Sequence, residues 1–414
     1  MTDNGKLIYK TYTASFLLQQ VPDAKIKKML LQLADAVEQN APLLLKANKK
    51  DLARQSTDNP KNDRLLLNAE RIGAIAKGIR QVSRLPNPSG RLLARKKLQN
   101  GLDLQKISVP MGVIAAIYES RPNVTYDIAT LCLRSGNACI LKGSRDAHFS
   151  NQAALKIIRP VLSQNGIPPD CVALLPSGRE AVQDLFTAEK YIDLIIPRGS
   201  NELIQYVRRN SRVPVIETGA GVCHTYVHRE ADLGKAVAIV VNAKTSRPSV
   251  CNALDSLLVD RSIAARFLKQ LLPEFEKWGV EIFAAPEDYA RVNPYPFKQK
   301  AVSADFGKEF LSLKCAFKTV RGPDEAIAHI REYSTRHSEA ILSENKAVCE
   351  RFIREVDAAT VYSNASTRFT DGAEFGLGAE VGISTQKLHA RGPFALEKLV
   401  TEKWILRGNG QVRK

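Results

Sequence analysis

The chain has no uninterrupted apolar run near the ~18 residues that would cross a bilayer. Its seven cysteines (132, 139, 171, 223, 251, 315 and 349) are odd in number, scattered and without a C-x-x-C pair. That spacing argues against a disulfide framework and a cysteine zinc site, so most of them should be small buried hydrophobes. The opening MTDNGKLIYKTYTASF lacks both the basic and apolar regions of a secretory leader and the Arg- and Ser-rich character of a transit peptide, and a cytoplasmic protein is expected. No RNP, zinc-finger or basic-zipper pattern accompanies the net charge of +17. Basic residues stand beside acids, as in KKDLAR and HIREYSTRHSE, which suits a solvated surface or a field drawing small anions better than a nucleic-acid face. The dinucleotide fingerprint G-x-G-x-x-G, internal repeats and low-complexity linkers are also missing.

What is present is an ordinary globular composition, 44% hydrophobic and 25% charged, over 414 residues, enough for two or three closely associated domains. Residues 14–85 carry amphipathic helical stripes, such as 29, 30, 31, 33, 34 and 37. The Pro-, Gly- and Asn-rich segment from 85 to 110 predicts an extended arm or hairpin. From 109 to about 220, short apolar strands (VPMGVIAAIYE, NACILKGS, DCVALLP, YIDLIIPRG, VPVIETG) alternate with amphipathic helices, and a second such series runs from about 225 to 385. That alternation predicts parallel βαβ units in doubly wound sheets, with ligands beyond the carboxyl ends of the strands. The loops YESRPN, LKGSRD and IPRGSN are therefore singled out.

Cys251, in NAKTSRPSVCNALDS, falls in the loop between a helix and the strand DSLLVD, with Lys244 and Arg247 close in sequence. Nearby cations lower a thiol pKa and favour the nucleophilic thiolate, while burial would make the same residue inert. Read by themselves, the residues leave both open. Cys223, His224 and His228 offer no metal set, because alternate strand residues face opposite ways and no further ligands follow.

The stretches VPMGVIAAIYESRPNVT (109–125), SGNACILKGS (135–144), GVCHTYV (221–227), VVNAKTSRPSVCNA (240–253), AIAHIREYSTRHSEAI (326–341), VYSNASTRFTDGAEFGLGAEVGISTQKLHARGP (361–393) and KWILRGNG (403–410) resemble the aldehyde dehydrogenase superfamily. Within it they are most similar to the branch that reduces glutamyl phosphate. The resemblance implies an α/β fold of two doubly wound domains plus a small β oligomerisation element. It puts a cofactor-binding domain at 1–217 with a projecting arm at about 88–108, a catalytic domain at 218–385, and a C-terminal return and oligomerisation strand at 386–414.

It further implies Cys251 as the nucleophile and Asn123 as an oxyanion donor, a residue that alone would read as a turn residue after proline. Lys142, Gly143, Ser144 and Arg145 would meet the adenosine half of the cofactor. Arg145 stands where many NAD-dependent relatives have an acid, which favours NADP(H) through its 2′-phosphate. Pro197, Arg198, Gly199 and Ser200 would form the second nucleotide loop, and Glu309 would meet the nicotinamide ribose. Glu217 matches the general base of the oxidising relatives, but a reductase of an acyl phosphate must keep water from its thioester, so no catalytic role is given to it. His337 matches a signature and is taken as a local packing residue.

For the substrate, Arg121 and Arg247 are the expected phosphate ligands, and Asn364, Ser366 and Arg368 are expected at the amino-acid end. The implied partners are L-glutamyl 5-phosphate, a homodimer or higher homo-oligomer, and transient association with glutamate kinase, with neither nucleic acid nor membrane. Two other classes compete: an aldehyde dehydrogenase acting on an acyl-CoA, and a basic binding protein that keeps the fold without turnover.

Overall fold

The computed structural model describes residues 2–56 and 62–413, so a small part of the expected helical region, 57–61, lies outside the described residues. The chain groups into two compact units: Met1–Thr218 with Gly376–Gly382 and Phe394–Lys414, and Gly219–Phe375 with Ile383–Pro393. Segment 376–382, assigned from sequence to the second domain, thus counts with the first unit. Among the described residues, no helix is long and apolar enough to cross a membrane.

The first unit opens with helices Asp3–Leu18, Asp23–Gln39, Ala41–Leu52 and Ala69–Arg84. Side chains of Thr2 and Asn68 accept the orphan N–H groups of Gly5 and Arg71 at two of their N-termini. The stripe Met29, Leu30, Leu33, Ala34 and Val37 is buried, but Leu31 is exposed, because it lies off the inward face. Behind these helices is a parallel four-stranded sheet in the order Val172–Leu174, Ala138–Gly143, Val113–Tyr118, Leu194–Arg198. The order reverses beside Val113–Tyr118, the switch point of a doubly wound sheet.

VPVIETG, expected as a fifth strand, contributes only an isolated bridge between Ile195 and Val215. Pro214 has no N–H to add to the ladder; its carbonyl accepts from Ile195, and pairing extends no further than Ile216 N–H on the Ile195 carbonyl.

The arm forms an antiparallel hairpin, Leu92–Lys97 with Asp103–Pro110, and Val400–Arg407 pairs along the whole of Asp103–Pro110. Its faces leave Leu92, Leu93, Trp404 and Leu406 exposed.

The second unit is built on seven parallel strands in the order Lys298–Lys300, Glu281–Ala284, Lys314–Val320, Leu254–Asp260, Cys223–Val227, Ser338–Leu342, Thr360–Ser363. Its central strands are buried on both faces, as parallel strands covered by helices must be. Helix Leu233–Thr245 is capped by Asp232 and buries Ala236, Val237, Val240 and Ala243 against this sheet's core.

Candidate active site

In the second unit the chemistry gathers at the amino ends of the strands. Cys251 immediately precedes Leu254–Asp260, Gly221 precedes Cys223–Val227, and His337 precedes Ser338–Leu342. The carboxyl-end rule therefore does not locate this cluster. The helix Leu233–Thr245 runs back across the sheet, and the turn at Arg247-Pro248 delivers the cysteine to the other rim.

Six of the seven cysteines are buried and Cys251 alone is half-buried. Its main chain is held tightly. Gly221 packs so closely that an added Cβ would lie 1.6 Å from the Cys251 carbonyl oxygen. The Cys223 thiol donates to that oxygen at 3.2 Å. Burial, then the carboxylates of Glu339 and Asp255, push the Cys223 thiol well above the usual range, so it stays protonated as a donor. The next residue, Asn252, gives its amide to the Arg368 and Thr370 carbonyls at 3.2 and 3.0 Å, while its own carbonyl accepts from Thr367 Oγ1 at 2.7 Å.

Two cations frame this loop. Arg368 donates from Nε to Ser246 Oγ at 3.1 Å and from Nη1 to Asn252 Oδ1. Arg247 is exposed on the turn, with no carboxylate partner among the described residues. Lys244, expected beside the thiol, is elsewhere: its buried Nζ donates to the Lys314 carbonyl at 2.8 Å and lies 3.6 Å from Asp255. Of the expected amino-acid ligands, Ser366 caps the Arg368 N–H at 3.3 Å. Asn364 clamps the Ser343 backbone with its amide, accepting from N–H at 2.9 Å and donating to the carbonyl at 2.8 Å.

Glu309 accepts the Gly221 N–H at 3.0 Å, one residue contact away from the Cys251 carbonyl. His337 is fully buried, its pKa lowered to about 4 by burial, with Nδ1 2.8 Å from Ser338 Oγ. Among the described residues no His, Cys, Asp or Glu group is arranged for a metal.

Asp255, facing Lys244, Glu309 and His224, is pushed up to about 7, first by burial. The folded state then binds this proton more tightly than the unfolded one. Its contribution to stability is full below the unfolded pKa of ~3.9 and is lost as pH rises to about 7. Denaturant titrations from pH 4 to 7 should show this loss, and Asp255→Asn should remove it. An unchanged pH slope in the variant would refute the assignment.

In the first unit, a cavity of about 490 Å³ opens at the carboxyl ends of Ala138–Gly143 and Val172–Leu174. Gly143, Ser144 and Arg145 line it, as expected, and so do His148, Asn151 and the turn 174–178, which the sequence reading missed. Buried Asn151 is oriented by Thr125, which donates to its Oδ1 at 2.8 Å and pairs with the Tyr118 hydroxyl at 2.7 Å. Its Nδ2 lies 2.1 Å from where a Cβ on residue 143 would sit, so any larger residue there would displace the Asn151 amide. Lys142 is half-buried, its pKa lowered by burial and then by Arg145.

The second nucleotide loop, residues 197–200, lies at the end of strand Leu194–Arg198 and the start of helix Asn201–Asn210. Ser200 caps helix Asn201–Asn210, but its N–H and hydroxyl donate to the Glu119 carboxylate at 3.0 and 3.2 Å, so these donors already hold an anion. Asn123 donates to Asp127 at 2.9 Å, which fixes its amide and leaves one further N–H. Burial pushes Asp127 up to about 6. Arg121 precedes the same helix, Pro122–Arg134, and Glu217 pairs with Arg208 at 3.0 Å.

Against known proteins, the family model for the aldehyde dehydrogenase family matches residues 6–289. The gamma-glutamyl phosphate reductase of Chlorobium chlorochromatii is 51% identical over 409 residues, 98% of each chain. The crystal structure of gamma-glutamyl phosphate reductase from Thermotoga maritima superposes with a TM-score of 0.96 at 40% identity, covering 100% of both chains. An acetylating aldehyde dehydrogenase from Geobacillus thermoglucosidasius shares the fold, with a TM-score of 0.73 at 17% identity over 100% of this chain and 98% of its own.

Proposed function

The chain belongs to the aldehyde dehydrogenase family and, within it, to the gamma-glutamyl phosphate reductases, which carry out the reductive step of proline biosynthesis; on that premise we propose a thioester mechanism on Cys251 with NADPH. The observation that carries the reading is the single half-buried cysteine, held by Gly221, Cys223 and Asn252 at the strand rim beside Arg368.

Cys251 Sγ attacks the acyl carbon of L-glutamyl 5-phosphate, and the bond to the phosphate oxygen breaks with its electron pair leaving on phosphate. Phosphate is a good leaving group and the thiolate already lacks its proton, so acylation needs no general base. The remaining amide N–H of Asn123 is assigned to the carbonyl oxygen as charge develops on it, a contact of the kind worth ~3 kcal/mol of barrier. When bound, the nicotinamide cofactor supplies the hydride that converts the thioester to a thiohemiacetal, whose collapse releases L-glutamate 5-semialdehyde and restores Cys251. Glu217, paired with Arg208, is given no part in activating water.

The cavity at Gly143, Ser144 and Arg145, lined also by Asp3, Asn4 and Leu7 of the first helix, is assigned to the adenosine half of the cofactor. Asn151 offers a fixed amide, and Arg145 with His148 offers nitrogen donors for a 2′-phosphate. Lys142 is assigned to the ribose. The turn at Ser200 remains assigned to the pyrophosphate, which would have to displace the Glu119 carboxylate from the Ser200 N–H and hydroxyl, and Glu309 remains assigned to the nicotinamide ribose. The division at 217 is proposed as that between cofactor binding and catalysis. The exposed Leu92, Leu93, Trp404 and Leu406 on the hairpin sheet support a homo-oligomer. A cytoplasmic location and transient supply of the labile substrate by glutamate kinase complete the proposal.

Phosphate-dependent reduction of NADP with glutamate semialdehyde tests the whole reading, and turnover that ignores phosphate would overturn it. Arg145→Ala should lower the kcat/KM preference for NADPH over NADH by about tenfold or more, the loss of one charged hydrogen bond. An unchanged ratio would move the 2′-phosphate elsewhere.

A further inference from the structure

Arg368 is unusual in how its guanidinium is held. Its Nε and Nη1 are tied to Ser246 and Asn252, which are the sequence neighbours of Arg247 and Cys251 respectively. Its backbone is tied as well, by Ser366 at the N–H and Asn252 at the carbonyl. This fixes the charge at the loop that carries the nucleophile while Nη2 has no partner among the described residues.

The local carboxylate, Asp371, acts on Arg368 through its charge but forms no ion pair with it among the described residues. Asp371 spends its Oδ1 on the Ala373 and Glu374 N–H groups, at 2.8 and 3.4 Å, and neither Arg247 nor Arg368 forms an ion pair among the described residues. Burial, then the Arg247 charge, lower the Arg368 pKa, while Cys251, Asp371 and Cys223 act on it in the opposite sense, so Arg368, Arg247 and Cys251 share one electrostatic neighbourhood. Two cations at the loop that carries Cys251, one half-buried and neither in an ion pair among the described residues, make a receptor for a dianion.

We propose that Arg368 and Arg247 together seat the phosphate that leaves on acylation of Cys251, and that Arg368 is a phosphate ligand, not a ligand of the amino-acid end. The proposal rests on the thioester reading. In reverse, a phosphate oxygen held there attacks the thioester carbonyl carbon, the carbon–sulfur bond breaks, and the electron pair returns to the Cys251 thiolate. Phosphate is thus needed for deacylation and not for acylation by the aldehyde, which lets the two steps be measured apart.

The test uses the full chain with glutamate semialdehyde and NADP. Without phosphate, wild type should give a rapid burst of NADPH of about one equivalent per site; added phosphate should then start turnover. Arg368→Gln should still give a burst, and its KM for phosphate should rise about 10- to 100-fold, with Arg368→Lys recovering part of the loss. Arg247→Gln should shift the same constant. In wild type, inorganic phosphate should slow alkylation of Cys251 by iodoacetamide, a readout that stands even where a variant fails to fold. A raised KM for the aldehyde with an unchanged KM for phosphate would return Arg368 to the amino-acid end. Absence of phosphate protection would also overturn the seat. No burst in wild type would instead sink the thioester reading from which the seat follows.

Discussion

Cys251→Ala should lower phosphate-dependent turnover by at least about 10⁴-fold, the scale on which loss of a nucleophile acts. The melting temperature should barely move, because the side chain is half-buried and small, and substitutions of that kind stay within ~0.5 kcal/mol. This combination separates chemistry from packing. Cys223→Ala should give a milder, opposite balance: it removes a fully buried thiol and one donor from the Cys251 carbonyl, so stability falls while the nucleophile survives. Wild-type turnover in Cys251→Ala would make Cys251 a packing residue and end the thioester mechanism.

Gly221→Ala should be the most damaging substitution that touches no reacting atom. The new Cβ would meet the carbonyl oxygen, carbonyl carbon and Cα of Cys251 at 1.6, 2.6 and 3.2 Å, and backbone cannot rotate away as a side chain can. Gly221 is also held by Glu309, so the cysteine loop has to yield. A displacement on the order of 1 Å costs ~10²-fold in rate, and overpacking of this kind costs ~1–3 kcal/mol in stability. The expected result is a fall of about 10²-fold in kcat together with a melting temperature lowered by several degrees. Normal kinetics at an unchanged melting temperature would show that the close approach is not required.

Alternating apolar strands and amphipathic helices made both parallel sheets legible, and the bend at Arg247-Pro248 placed Cys251 in a loop. What escaped the sequence was set by contacts between distant positions. Nothing near residue 221 says that its glycine exists to admit the backbone of residue 251; its φ is not in the left-handed region, so the reason is space alone. Lys244 looks like a partner for the thiol because the two are close in sequence, yet the helix turns its amine toward Asp255. Asn364 likewise sits in a polar stretch that suggests ligand binding, and its amide also holds the backbone of Ser343, just past a strand end. The cavity at Arg145 was half legible: the strand-end loop could be read, but His148 and Asn151 belong to the following helix and enter only through its packing.

The three-stranded hairpin sheet also sets a timetable for synthesis. Strand Asp103–Pro110 can pair with Leu92–Lys97 as soon as both have left the ribosome, but its other neighbour, Val400–Arg407, is made only after residues 111–399. At ~5–20 residues per second that wait lasts roughly tens of seconds, with one edge of a finished hairpin open to any strand that meets it. A nascent chain therefore carries a temporary adhesive edge, and the first unit is completed by a segment translated after the second unit's seven-stranded sheet.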